Sequence, residues 1–282
     1  MTSAEFFQIF FYVSNWDLKL NVIMLCIAGL YLVLTGPMRH LFPNAEPAKG
    51  SARIKFLSGL LIYYIANGSP LNILGHELFS MHMLQMSLTF LLAPPLLLTG
   101  IPAYMYRALA KLPGVRKIGH FLTKPLVTIF FFNGFFTFYH VPYIFDASMN
   151  NEWLHIVTHY GLLFAAFCMW FPIFCPVPEW DRMKSLHKLV LIFVNGILLT
   201  PACAIITFTD LLLYDQYQTM STIAPIMTPI HDQQLGGVIM KIMQEIVYIG
   251  AIAIVFFRWV RTERAKDDAE LQAYKEGNPT PS

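Results

Sequence analysis

His155 and His159 stand four residues apart at the start of a long apolar stretch that opens at Trp153. Residues at i and i+4 share a helix face. Two imidazoles so placed can grip one metal ion, as in other helical metal sites. An earlier stretch repeats the spacing with a softer pair, His82 and Met86, and carries His76 just ahead of it. Thioether and imidazole together suit Cu(I) better than Mg, Ca or Mn. His140 ends a further stretch in Phe138-Tyr139-His140-Val141-Pro142, where the proline helps to stop the helix. The expected metal ligands are therefore His76, His82, Met86, His140, His155 and His159. Cys203, beside Pro201, and His231, followed by Asp232 as an N-cap candidate, are accessory candidates.

The bland alternatives are concrete. Met81 and Met83 read as core fillers. An interfacial histidine can be nothing more than a hydrogen-bonded polar group. His40, His120 and His187 lie among basic residues and are given no role. His82 follows His76 by six residues, so this is not the HExxH spacing of a zinc protease. P-loop, dinucleotide fingerprint and GxSxG motifs are lacking, and the chain is read as a non-enzyme. The four cysteines (Cys26, Cys168, Cys175, Cys203) are scattered, with no CxxC, and predict no disulfide framework.

The residues that must position these groups are overwhelmingly apolar. Of 282 residues, 56% are hydrophobic and 13% charged, about half the charge of an ordinary soluble domain. That predicts an all-α, polytopic membrane helix bundle forming one integral membrane domain in contact with lipid. No basic cluster interleaved with aromatics points to nucleic acid. Seven spans are expected, at about 20–35, 54–74, 78–99, 125–140, 153–174, 186–209 and 235–257. Asn67-Gly68-Ser69-Pro70 interrupts the second and Pro94-Pro95 bends the third. Residues 258–282 read as a polar tail. The N-terminal segment lacks a basic n-region and a cleavage site, and reads as interfacial, with Tyr12 and Trp16 at headgroup level.

Charge sets the orientation. Of the 19 lysines and arginines, 17 fall in alternate loops and the tail. The intervening loops have none, and those hold six of the nine histidines within about two turns. The positive-inside rule then places the N-terminus outside, the C-terminus in the cytoplasm and the histidines at the outer surface. Lys241 and Glu245, four apart inside the seventh span, predict a buried ion pair, because either charge alone is costly there.

Several stretches taken together resemble the CtaG family of cytochrome c oxidase assembly factors, associated with caa(3)-type oxidase. They are Leu74-Gly75-His76 through His82-Met83-Leu84-Gln85-Met86, Ala93-Pro94-Pro95, Phe132-Asn133-Gly134-Phe135 and Tyr139-His140-Val141-Pro142. Asn151-Glu152-Trp153-Leu154-His155, Leu199-Thr200-Pro201-Ala202-Cys203 and Asp232-Gln233-Gln234-Leu235-Gly236-Gly237 complete the set. The resemblance implies a multi-pass protein of the bacterial plasma membrane that partners haem-copper oxidase subunits and assists formation of the CuB centre. It supplies no settled ligand residues, so those named above rest on side-chain chemistry alone. Three functions are therefore expected in turn: a copper-binding assembly factor; a b-type haem protein, with His82 and His159 as axial ligands; or a metal-free scaffold for the oxidase.

Overall fold

The computed structural model describes residues 8–43, 45–218, 227–275 and 277. It is 83% helix, with no strand among the described residues. Twelve α-helices follow in order. They are α1 (Leu18–Thr35), α2 (Gly50–Gly68), α3 (Pro70–Glu77), α4 (Phe79–Met86), α5 (Ala93–Gly100), α6 (Ala103–Leu109), α7 (Val115–Leu122), α8 (Pro125–Tyr139), α9 (Pro142–Asn150), α10 (Glu152–Ile173), α11 (Ser185–Phe208) and α12 (Pro229–Lys275). The start of the expected interfacial segment and the Pro-rich end of the tail lie outside the described residues.

Five helical runs are long and apolar enough to cross a membrane: α1, Phe79–Gly100, α10, α11 and α12. A sixth is obtained if α7 and α8, bent by 76°, count as one span. The difference from the expected seven has two causes. The helix α2 reaches 19 residues, but Arg53, Lys55 and Asn67 make it too polar to count with the others. The helix α8 has only 15 residues, short of the roughly 20 a crossing needs.

Local chemistry explains the breaks. Ser69 ends α2, and its side chain accepts from the Leu71 N–H to cap α3, which starts on Pro70. Pro94 and Pro95 lack the N–H that an α-helix needs and crowd the carbonyls behind them. The chain answers with a π-helical stretch, Ser87–Leu92, that joins α4 to α5 without a break. Asp17 caps α1 and Asn151 caps α10. Past the expected end of the last span, α12 runs on to Lys275. No Gly or Pro intervenes between Arg258 and Lys275, and Lys266 pairs with Glu263 at 3.0 Å.

The core runs along the middle of the bundle, from Phe79, Met83 and Phe90 through Phe132 and Met169 to Trp170 and Tyr248. At its heart the Asn133 amide on α8 donates to Asn195 Oδ1 on α11 at 2.6 Å, a polar tie in a region with no water to compete. The absent side chains of Gly236 and Gly237 let α12 close on its neighbours. A Cβ at Gly236 would stand 2.5 Å from the Phe79 ring, and one at Gly237 would run into Thr207 and the Cys203 carbonyl. The helix α1 is peripheral, burying only Tyr31 and Thr35. It is pinned by the Tyr31 hydroxyl donating to Gly100 O at 2.8 Å and by Tyr31 stacking on Phe56.

Between spans, Arg107 grips Glu179 with a bidentate pair at 2.5 and 3.0 Å. Hydrogen bonding from the guanidinium holds the Glu179 carboxyl down at about 2, from an ordinary value of 4.5. The pair's contribution is present above about pH 4.5 and is lost as pH falls through about 2. Both groups are exposed, so screening keeps it small. Glu179→Gln is expected to lower the melting temperature slightly at pH 6. Melting curves of variant and wild type should converge as pH approaches about 2; a constant gap would mean that the ion pair is not its source.

Candidate metal centre

A small cavity opens at the end of the bundle where α4, α10 and α12 begin and α8 and α11 finish. It is lined by His76 from α3, by His82, Gln85 and Met86 from α4, by Tyr139 from α8 and by His155 and His159 from α10, with Asn72, Thr89 and Leu162 completing the wall. Five of the six principal candidates thus meet in one place, brought by three helices. They are graded by depth. His76 is exposed at the mouth, His155 and His159 are half-buried, and His82 and Met86 are buried at the floor.

The distances suit shared coordination in pairs. The His76 and His155 rings are 5.9 Å apart between centroids, and His155 and His159 are 6.2 Å apart. Two imidazoles holding one ion through bonds of about 2.0–2.1 Å have centroids up to about 6.4 Å apart. The deeper His82 has its Nε2 3.4 Å from the Tyr139 hydroxyl. Among the described residues, no group of three or more His, Cys, Asp or Glu side chains could hold a metal ion. Met86 supplies a further soft donor on the same cavity wall. The donor set of imidazoles and one thioether, with no carboxylate, fits Cu(I) and fits Mg or Ca poorly.

Three candidates are not in the cavity. His140 is buried, but its ring turns back onto its own helix, with Nδ1 2.8 Å from Phe136 O and the ring tilted against Phe136 at 4.4 Å between centroids. Cys203 is buried against α12. His231 is exposed in the first turn of α12. The expected ion pair does form, Lys241 to Glu245 at 2.6 Å, but it is not buried: the side chains are 34% and 48% exposed. They sit on the outward flank of the α11–α12 seam, because Gln244 and Tyr248 take the inward face.

Sequence reasoning missed the shell that holds the cavity in shape. Gln85 donates to Asn72 at 2.8 Å and Asn67 to Thr89 at 3.0 Å, a chain of amides linking α2, α3 and the α4 run. Gly75, next to His76, accepts from the Tyr217 hydroxyl at 2.6 Å. Asp232 does not cap α12. It reaches across to the start of α4, accepting from Phe79 N at 2.6 Å, from Ser80 N at 3.3 Å and from the Ser80 hydroxyl. The signal available was the presence of Asn67, Asn72, Gln85 and Asp232 inside or beside apolar stretches, where a polar group needs a protein partner. The cavity has room for about one water.

These features define a class: an all-helical protein with several membrane-crossing helices and a graded histidine funnel at one end of the bundle. Within that class the assignment is specific. Residues 29–262 match the cytochrome c oxidase caa3 assembly factor family, and the chain belongs to it. No curated protein and no solved structure gives a significant match. The class of work is accordingly assembly of cytochrome c oxidase, as the resemblance implied.

Proposed function

We propose that this assembly factor binds Cu(I) in the histidine funnel and hands it to an oxidase subunit docked in the same membrane, for the CuB centre. The observation that carries the reading is the convergence of His76, His82, Met86, His155 and His159 on one cavity, with ring spacings compatible with shared ligation. His76 and His155 at the mouth would take the ion first. His159 and then His82 with Met86 would hold it deeper, where water is scarce. Ligand exchange between neighbouring neutral imidazoles moves the ion without a redox step, so the protein needs no catalytic chemistry and acts as a copper chaperone.

The topology that goes with this reading is seven crossings of the bacterial plasma membrane, with α2 and the α7–α8 pair completing the count. The N-terminus is outside and the C-terminus cytoplasmic, as the distribution of Lys and Arg requires. The funnel then faces outward. A polar helix such as α2 is tolerable within the bundle because it packs against α5 and its arginine has a protein partner, Arg53 donating to Thr35 O at 3.3 Å.

The test is copper content in detergent-purified protein loaded under reducing conditions. His155→Ala/His159→Ala removes two of the five donors and is expected to cut bound copper at least about tenfold, since each ligand lost from a soft-metal site weakens it strongly. The same variant should fail to support oxidase activity in cells. Equal copper in both proteins would sink the proposal. Retained oxidase activity in a folded, copper-free variant would leave a metal-free scaffold.

A further inference from the structure

Between Asp232 and Arg258 the only charged residues are Lys241 and Glu245. Glu245 lies thirteen residues from each of those two ends. At 1.5 Å per residue that is about 20 Å from either, the middle of a membrane-crossing helix. The pair is nevertheless not turned inward. Lys241 is 34% and Glu245 48% exposed, on a flank that otherwise shows Ile197, Ile242, Ile246 and Ile249, all exposed and all apolar. On α12 this is the face left over once α4 and α11 have covered the other side.

The patch lacks hydrogen-bond partners. Lys241 Nζ donates to Thr200 Oγ1 at 2.8 Å and to Glu245 Oε1 at 2.6 Å. Among the described residues, Glu245 Oε2 accepts nothing and one ammonium N–H has no acceptor. Facing hydrocarbon, both would go unsatisfied at mid-depth, where charged side chains almost always turn to protein or to a water-filled cavity. A side chain that donates to the carboxylate and accepts from the ammonium at once would complete the set. A carboxamide does both. Among the described residues, the carboxamides in the middle of the bundle, Asn133, Asn195 and Gln244, are buried and cannot serve a second copy.

We propose that the α11–α12 flank around Lys241, Glu245 and Thr200 is an intramembrane docking surface for a transmembrane helix of another protein, one that presents an Asn or Gln side chain at mid-depth. The proposal rests on the family assignment and is independent of copper. The docked helix packs against Ile242, Ile246 and Ile249 and places its amide between the two charges. Because an amide can flip end for end, the interaction tolerates exchange of the two charges but not their removal.

The experiment places a photoreactive amino acid at position 249, or at exposed Phe130 on α8 as a control, in full-length protein co-expressed with a caa3-type oxidase. Irradiated membranes are analysed by mass spectrometry. The expected adduct joins position 249 to a transmembrane helix of an oxidase subunit, at least fivefold above the control. Lys241→Leu/Glu245→Leu reduces it at least fivefold while the amount of protein in the membrane stays at the wild-type level. The exchanged variant, Lys241→Glu/Glu245→Lys, keeps it, which also shows that the flank tolerates substitution. The proposal is overturned by an adduct that survives the double leucine variant, by one lost in the exchanged variant, or by adducts only to lipid or to a second copy of this chain.

Discussion

Replacing Asp232 by alanine is expected to destabilise the protein by about 3–5 kcal/mol and to empty the histidine funnel of its shape. The carboxylate accepts from two backbone N–H groups at the start of α4 and from the Ser80 hydroxyl, and all of these groups are buried. The first N–H groups of a helix have no partner inside it, and here none can turn to water. Interhelical hydrogen bonds in membrane proteins average only about 0.6 kcal/mol, because the unfolded chain also finds partners. This site departs from that average for two reasons. The acceptor is charged, for which a bond is worth about 1.5–3 kcal/mol, and removing it orphans several donors at once. The geometric consequence is as large. His82 sits one turn beyond Phe79, so a loosened start of α4 moves the floor of the cavity. Asp232→Asn keeps one acceptor oxygen and should lose about half as much. Thermal unfolding in detergent gives the order wild type, Asn, Ala. A melting temperature for Asp232→Ala within about one degree of wild type would show that the cap carries no load.

Local contacts are the ones that a sequence reveals. His155 with His159 and His82 with Met86 were legible because a helix fixes what lies four residues away. That those pairs, and His76, face one another across three helices followed only from placing them all near one end of the bundle. His140 lies off the cavity wall for a local reason. Neighbouring helical residues point about 100° apart, so when Tyr139 faces the cavity His140 cannot, and its ring folds back onto Phe136 O. Cys203 is packed into the hydrophobic core and does not line the cavity. The same ambiguity hid the outward turn of Lys241 and Glu245, since pattern alone does not say which flank of a nearly uniform apolar helix is covered. Asp232 was read as capping its own helix because the start of α4 is about 150 residues away in the chain, and no spacing rule reaches that far. The second and fourth spans read from the sequence are the two that do not stand alone among the long apolar helices, α2 because of its polar residues and α8 because of its length.

Gly100→Ala should be among the most damaging single-methyl additions in the protein. A Cβ at Gly100 would stand 2.5 Å from Phe56 N, 2.6 Å from Phe56 Cβ and 2.7 Å from Phe56 Cα. These are backbone or backbone-proximal atoms of α2, and no rotamer change moves them aside. Relief requires the two helices to separate, which strips contact from Leu60 and Leu97 and pulls on the Tyr31 hydroxyl that holds α1 to Gly100 O. Overpacking of a rigid seam costs about 1–3 kcal/mol and occasionally more; the upper end, about 3 kcal/mol, is expected here. Two internal comparisons separate the clash from the mere loss of a glycine. Gly59 faces Leu97 across the same seam, with the nearest side-chain atom at 2.8 Å. The two nearest atoms belong to a side chain and the nearest backbone atom, Leu97 N, is at 3.1 Å, so Gly59→Ala should cost less. Gly134 has nothing within 4 Å of its Cβ position, and alanine there should be neutral or stabilising by up to about 1 kcal/mol through helix propensity. Thermal unfolding of the three variants is expected to rank Gly100 lowest and Gly134 highest. If Gly100→Ala melts with Gly134→Ala, α2 and α5 are not in the close contact described. The damage should also reach the funnel, because α5 continues through the π-helical stretch into α4, and a displaced α5 carries His82 and Met86 with it.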